Sequence, residues 1–130
     1  MLKKNPVVKI DYQKSFELIK EAADLGYTKA IYELGFRYSV GDFGTSKDIN
    51  KAIELYKKVI EIEPANSNAY TLLGNTYVML KNLRSAIASY KQAVDIDTDN
   101  DEIKLIYIEV IQEYIKNRDT LENGEAVNDR

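Results

Sequence analysis

The chain has 130 residues, 45% of them apolar and 30% charged, with a formal net charge of −3, which suits a single domain able to bury its own core. It contains no cysteine and no histidine, so disulfides, thiolate nucleophiles and cysteine-ligated zinc are ruled out, and the commonest general base and metal ligand at neutral pH is missing. The acidic balance, without any long Lys/Arg run, argues against nucleic acid as a partner.

From Met1 to Tyr12 the apolar stretch is only Val7, Val8 and Ile10. That is too short for a signal sequence, and no later segment approaches the ~18 apolar residues of a membrane helix. A cytoplasmic location without membrane contact is therefore expected. Hydrophobic periodicity predicts helices over 11–25, 28–40, 48–62, 68–80, 83–97 and 101–117. Gly26 and Pro64 stop the helices before them. Asp48 is placed to cap the third helix, and Asn66 or Ser67 the fourth. The first helix has only residues 1–10 before it; either those fold back over it or it presents an apolar surface. In the sixth, at about 100° per residue, Ile103, Ile106, Tyr107, Val110, Ile111 and Tyr114 form one stripe toward the core. Leu105, Ile108 and Ile115 lie away from that stripe. They are either scattered surface hydrophobes or a docking surface for a second copy or a neighbouring domain. Residues 119–130 are polar and acidic with little to bury, and a disordered tail is expected there.

The middle of the chain repeats itself. Leu34-Gly35-x-x-Tyr38 matches Leu73-Gly74-x-x-Tyr77, and Ala52-x-x-x-Tyr56-x-x-Val59 matches Ala86-x-x-x-Tyr90-x-x-Ala93. In a helix, Leu, Gly and Tyr at i, i+1 and i+4 share a face on which glycine admits a close neighbour. The second block sets a bulky tyrosine among small residues, to sit where the first helix offers its glycine. Each unit is thus a pair of antiparallel helices that needs the next unit to cover its remaining apolar face.

Residues 67 to 100 resemble a complete tetratricopeptide repeat, with Tyr70, Leu73, Gly74, Tyr77, Ala86, Tyr90 and Ala93 at that motif's spacings. Thr98 replaces the usual proline, whose place in the preceding unit is held by Pro64. Upstream, Leu34-Gly35-x-x-Tyr38-x-x-Gly41-x-x-Gly44, then Asp48, Ala52 and Tyr56, resembles the related Sel1-like repeat with one extra residue in its glycine turn. Residues Asp11 to Gly26 are similar to the second helix of another such unit, through Ser15, Ile19, Ala22, Ala23 and Gly26. The resemblance implies an all-α superhelix, a right-handed solenoid of antiparallel helix pairs, over residues 1–118. Its parts would be a half unit at 11–26, units at 28–64 and 67–100, and a capping helix at 101–118, where Tyr107-Ile108 replaces the Leu-Gly pair.

The same resemblance implies a non-catalytic scaffold that holds a protein or peptide in a groove lined by the first helices, with no cofactor. Carried onto this chain, the groove residues are Lys29, Tyr32, Phe36 and Ser39 from one helix, and Asn68, Thr71, Asn75 and Val78 from the next. The cap adds Leu105, Glu109 and Gln112. Tyr32 and Phe36 project together one turn apart and either anchor a partner's apolar side chain or complete the core. The Asn75 carboxamide either bonds a peptide backbone or is an ordinary solvated group. Some tetratricopeptide proteins clamp acidic tails with lysines, asparagines and an arginine. The corresponding places here carry Tyr32, Phe36, Leu72, Glu102 and Ile106, which supply no positive charge. With Glu102, Glu109 and Glu113 near one end, a neutral or basic partner is expected, and a homodimer is the other possibility kept open.

Two features that suggest other chemistry have simpler readings. Asp95, Asp97, Asp99 and Asp101 alternate like calcium ligands, but the run lacks the glycine and the closing glutamate of a calcium loop. It reads as an acidic helix junction. Gly41 and Gly44 have no strand before them and no Lys-Ser/Thr after, so they do not form a phosphate loop.

Overall fold

The structure, a computed structural model, describes residues 11–41 and 45–120. Among these it contains six helices and no strand: α1 (Tyr12–Asp24), α2 (Thr28–Val40), α3 (Ile49–Ile62), α4 (Ser67–Met79), α5 (Leu83–Ile96) and α6 (Asp101–Thr120). The first five fall within one residue of their predicted spans. The sixth runs on to Thr120, whose hydroxyl donates to the Lys116 carbonyl at 2.9 Å and closes a further turn. Asp119 and Thr120, expected in the tail, are therefore helical. The rest of that tail, at 121–130, lies outside the described residues, as do residues 1–10 and Gly44.

Short polar side chains start the helices. Asp11, Asp48, Asn66 and Asn82 each accept from the backbone N–H three residues on. Asn66, rather than Ser67, is the cap of α4. Asn100 does the same for α6, accepting from Ile103 N at 3.2 Å. The α1–α2 turn passes through Gly26 at φ +90°. The α2–α3 turn leaves α2 through Gly41 at φ +68° and returns with Asp48 N–H donating to Tyr38 O at 2.8 Å. Between α4 and α5 the left-handed position is taken by Lys81 at φ +60°, where a side chain costs roughly 1–2 kcal/mol relative to glycine.

Each helix packs on its neighbour in sequence, as a solenoid requires. Within each full unit the approach is set by the glycine–tyrosine pair. A Cβ on Gly35 would lie 2.9 Å from the Tyr56 ring, and one on Gly74 would lie 2.6 Å from the Tyr90 ring. Both rings are buried. The core runs from Ala23, Ile31, Leu34, Val59 and Ala69, through Ala52, Ile53, Tyr56 and Leu73, to Ala86, Tyr90 and Val110.

Arg37 is a buried cation that the sequence pattern did not single out. Its Nη2 donates to Ser15 Oγ at 3.2 Å and its Nε lies 3.6 Å from Glu33 Oε1, tying α2 to α1. On α6, Ile103 and Val110 are buried, with Ile106 and Tyr107 packed in the cluster around Val110. Leu105, Ile108 and Ile115 are 57%, 49% and 42% exposed. Ile108 stands where the repeat units have Gly35 and Gly74.

Candidate functional site

The two complete units set their first helices, α2 and α4, side by side. Between them lies a concavity of about 440 Å³ lined by Lys29, Tyr32, Glu33 and Phe36 of α2 and Asn68, Thr71 and Leu72 of α4. The α2 residues recur at i, i+3, i+4 and i+7, the spacing of one helical face. On the opposite side of the same helix, Ile31 and Leu34 are buried in the core. One helix therefore builds both the core and the site.

The side chains in this concavity differ in how tightly they are held. Tyr32 is half-buried against Tyr56, with ring centroids 6.4 Å apart. Its hydroxyl donates to Asn66 Oδ1, the oxygen that caps α4 through Ala69 N–H at 3.1 Å. The Asn66 amide in turn donates to Glu63 Oε1 at 2.9 Å. Burial, with the Glu63 carboxylate nearby, pushes the Tyr32 hydroxyl up to about 12. Tyr32 is thus a fixed wall. Phe36, one turn on, is 45% exposed and is the apolar surface that a visitor would cover. The Thr71 hydroxyl donates to Ser67 O at 3.0 Å. Lys29 and Glu33 bring one charge of each sign, and Asn68 adds a carboxamide.

Of the eleven groove residues proposed from the sequence, Lys29, Tyr32, Phe36, Asn68 and Thr71 line this one concavity. Ser39 is instead buried, its hydroxyl donating to Phe36 O at 2.7 Å, and Leu105 and Gln112 are exposed on α6. Asn75, Val78 and Glu109 are exposed farther along the solenoid and do not line it. The Asn75 carboxamide oxygen accepts from the buried Tyr90 hydroxyl at 2.5 Å, leaving its amide hydrogens as the outward-bonding group. Burial pushes that tyrosine, too, up to about 12. Glu33 and Leu72 complete the lining without having been singled out as groove residues. Each is four residues after a lining residue, Lys29 and Asn68, and that spacing is the signal that would have found them.

A more voluminous hollow, about 570 Å³, runs beside Gln112, Ile115, Lys116, Asp119 and Thr120. All of these belong to α6, so it has one wall. The acidic run near it in sequence is dispersed: Asp95 pairs with Lys91 at 2.9 Å, Asp97 accepts from Asn100 at 3.2 Å, and Asp101 sits 3.9 Å from Lys104. Among the described residues no group of three or more acidic side chains is arranged to hold a metal ion. No helix there is long and apolar enough to cross a membrane.

A solenoid of helix pairs with an open, mixed-polarity concavity between successive first helices is the architecture of a protein-interaction repeat scaffold. The comparisons agree. The tetratricopeptide repeat family matches residues 45–107, and the Sel1 repeat family matches residues 5–27 and 28–61. Together these matches run from residue 5 to residue 107, and the chain belongs to the tetratricopeptide/Sel1-like repeat family. Among solved structures it is similar to MamA, with 21% identity and a TM-score of 0.67 over 86% of this chain and 64% of that one. It is also similar to a Sel1 repeat protein from Oxalobacter formigenes, with 27% identity and a TM-score of 0.55 over 74% of this chain and 39% of that one. The chain therefore spans less than two thirds of the length of either.

Proposed function

We propose that the protein is a non-catalytic adaptor that seats an extended segment of a partner protein in the α2/α4 concavity. The observation that carries this reading is Phe36, a large apolar side chain left 45% exposed in the recess, beside a Tyr32 that is half-buried and hydrogen-bonded. Covering an aromatic side chain of this kind is the largest single source of binding energy such a recess offers. Lys29 and Glu33 balance in charge, which suits a neutral segment, and Asn68 can bond a peptide backbone through donor and acceptor alike.

The test is affinity capture from native lysate with the parent and with a Phe36→Ala/Asn68→Ala variant. Neither side chain is part of the buried core, so the variant keeps its helical circular dichroism. The reading expects a partner held by the parent and lost by the variant. Equal retention by both would sink it. A second use, self-association, rests on Leu105, Ile108 and Ile115 of α6, and sedimentation velocity separates the two. A concentration-dependent rise in mass that disappears in Ile108→Ser/Ile115→Ser would assign those residues to a dimer.

A further inference from the structure

The solenoid has a second recess, on the other side of α2. It lies between the second helices α1 and α3, holds about 300 Å³, and is lined by Lys20 and Asp24 of α1, Leu34 and Tyr38 of α2, and Lys51, Glu54, Leu55 and Lys58 of α3. Its floor is apolar: Leu34 is buried, and Tyr38 and Leu55 are half-buried. Its rim carries three ammonium groups against two carboxylates. Among the described residues none of the three lysines lies within ion-pair distance of a carboxylate. The Lys51 ammonium stands 5.2 Å above the Tyr38 ring centroid, directly over the floor, where the ring's negative face holds it.

Helix pairing does not demand this rim, because α5 packs on α4 as α3 packs on α2 and is built without it. Aligned on Ala52 and Ala86, the positions of Lys51, Glu54 and Lys58 are taken in α5 by Ser85, Ala88 and Gln92. The second helix of the next unit thus keeps its pairing and lacks these lysines. In a chain of net charge −3, a recess with a cationic rim and an apolar floor stands apart from both the fold's needs and the protein's average.

We infer that the α1/α3 recess is a second docking site, for an acidic segment of a partner protein that carries an apolar side chain between its carboxylates. The apolar side chain would sit on Leu34, Tyr38 and Leu55, and the flanking carboxylates would meet the lysines of both walls. Asp24 and Glu54 set the limit of charge. They repel a dense polyanion such as nucleic acid or a phosphorylated cluster, and they can accept N–H groups of a peptide backbone. Because this recess and the α2/α4 concavity lie on opposite sides of α2, both can be filled at once.

The probe is a short blocked peptide of alternating glutamate and leucine, titrated into the full chain and followed by amide chemical shifts. The expected result is saturable shifts at Lys20, Asp24, Leu55 and Lys58, weakened by added salt as exposed charge pairs are. The comparison protein is Lys51→Ser/Lys58→Gln, which installs what α5 already carries and so leaves the fold intact. Its affinity should fall by about tenfold, the loss of two modest ion pairs. Equal binding by that variant, or by a peptide with glutamine in place of glutamate, would overturn the inference. So would shifts confined to Lys29, Phe36 and Asn68, or tighter binding of a phosphoserine peptide. A Phe36→Ala control, which leaves the α1/α3 recess untouched, must bind the probe like the parent.

Discussion

The two complete units close their helix pairs by the same device and join them in different ways. In the first, a long turn from Gly41 to Asp48 links α2 to α3. In the second, Leu80, Lys81 and Asn82 suffice between α4 and α5. Yet in each a tyrosine ring lies in the notch of a glycine on the facing helix. Turn length therefore does not set how the helices pack; a missing Cβ does. The second notch is the tighter one. A Cβ at Gly74 would meet three Tyr90 ring atoms at 2.6–2.9 Å, against 2.9–3.3 Å for Gly35 and Tyr56. Both rings are tethered at their hydroxyls, Tyr90 by Asn75 and Tyr56 by Ser39, so neither is free to retreat.

That difference can be broken directly. Gly74→Ala is expected to destabilise the protein by about 2–3 kcal/mol and Gly35→Ala by about 1 kcal/mol, after the helix-propensity gain of alanine over glycine is set against the clash. Urea denaturation of both variants measures the gap, and equal losses would show that the notches are equivalent. Asn66→Ala removes the α4 cap together with the partner of the Tyr32 hydroxyl, and should cost roughly 1–2 kcal/mol. The cap of the next helix, Asn82 of α5, uses its side chain only for Ser85 N among the described residues. Asn82→Ala is therefore expected to cost less, about 1 kcal/mol.

Alkali sharpens the comparison, since each unit holds tyrosine hydroxyls that burial keeps from ionising, Tyr32 and Tyr56 in the first and Tyr90 in the second. Tyr32 and Tyr90 are both pushed up to about 12 from an ordinary 10.0. The folded chain keeps these protons where the unfolded chain releases them. The stability they supply is thus complete below pH 10 and declines as pH rises from 10 toward 12. The denaturant midpoint, followed against pH, should fall across the same window. The smallest effect concerns the short turn. Lys81→Gly relieves the left-handed lysine and is expected to stabilise by roughly 0.5 kcal/mol, once glycine's larger unfolded-state entropy is counted.

The first five helix spans, the caps at Asp48 and Asn66 and the glycine–tyrosine notches were legible in the sequence because each depends on local periodicity or on one residue type with one job. The concavity was legible in part. Lys29, Tyr32, Phe36, Asn68 and Thr71 lie on α2 and α4, whose relative placement the repeat spacing fixes. The state of each side chain was not legible. That Tyr32 is held while Phe36 is exposed depends on Asn66, which is 34 residues from Tyr32. Arg37 escaped notice for the same reason: its partner Ser15 is 22 residues away, on another helix, and nothing in the α2 pattern marks a cation for burial. The extension of α6 to Thr120 rests on one hydroxyl bonding back along the helix, which polar composition does not reveal.

The Tyr32–Asn66 hydrogen bond is both a wall of the α2/α4 concavity and the joint between consecutive units. A molecule that rests on Tyr32 therefore couples to the ordering of the first turn of α4. Occupancy and inter-unit cooperativity become thermodynamically linked. Seating a ligand should slow amide exchange at Ala69 and beyond, and loosening the joint should cost affinity at a ring that has not itself been changed.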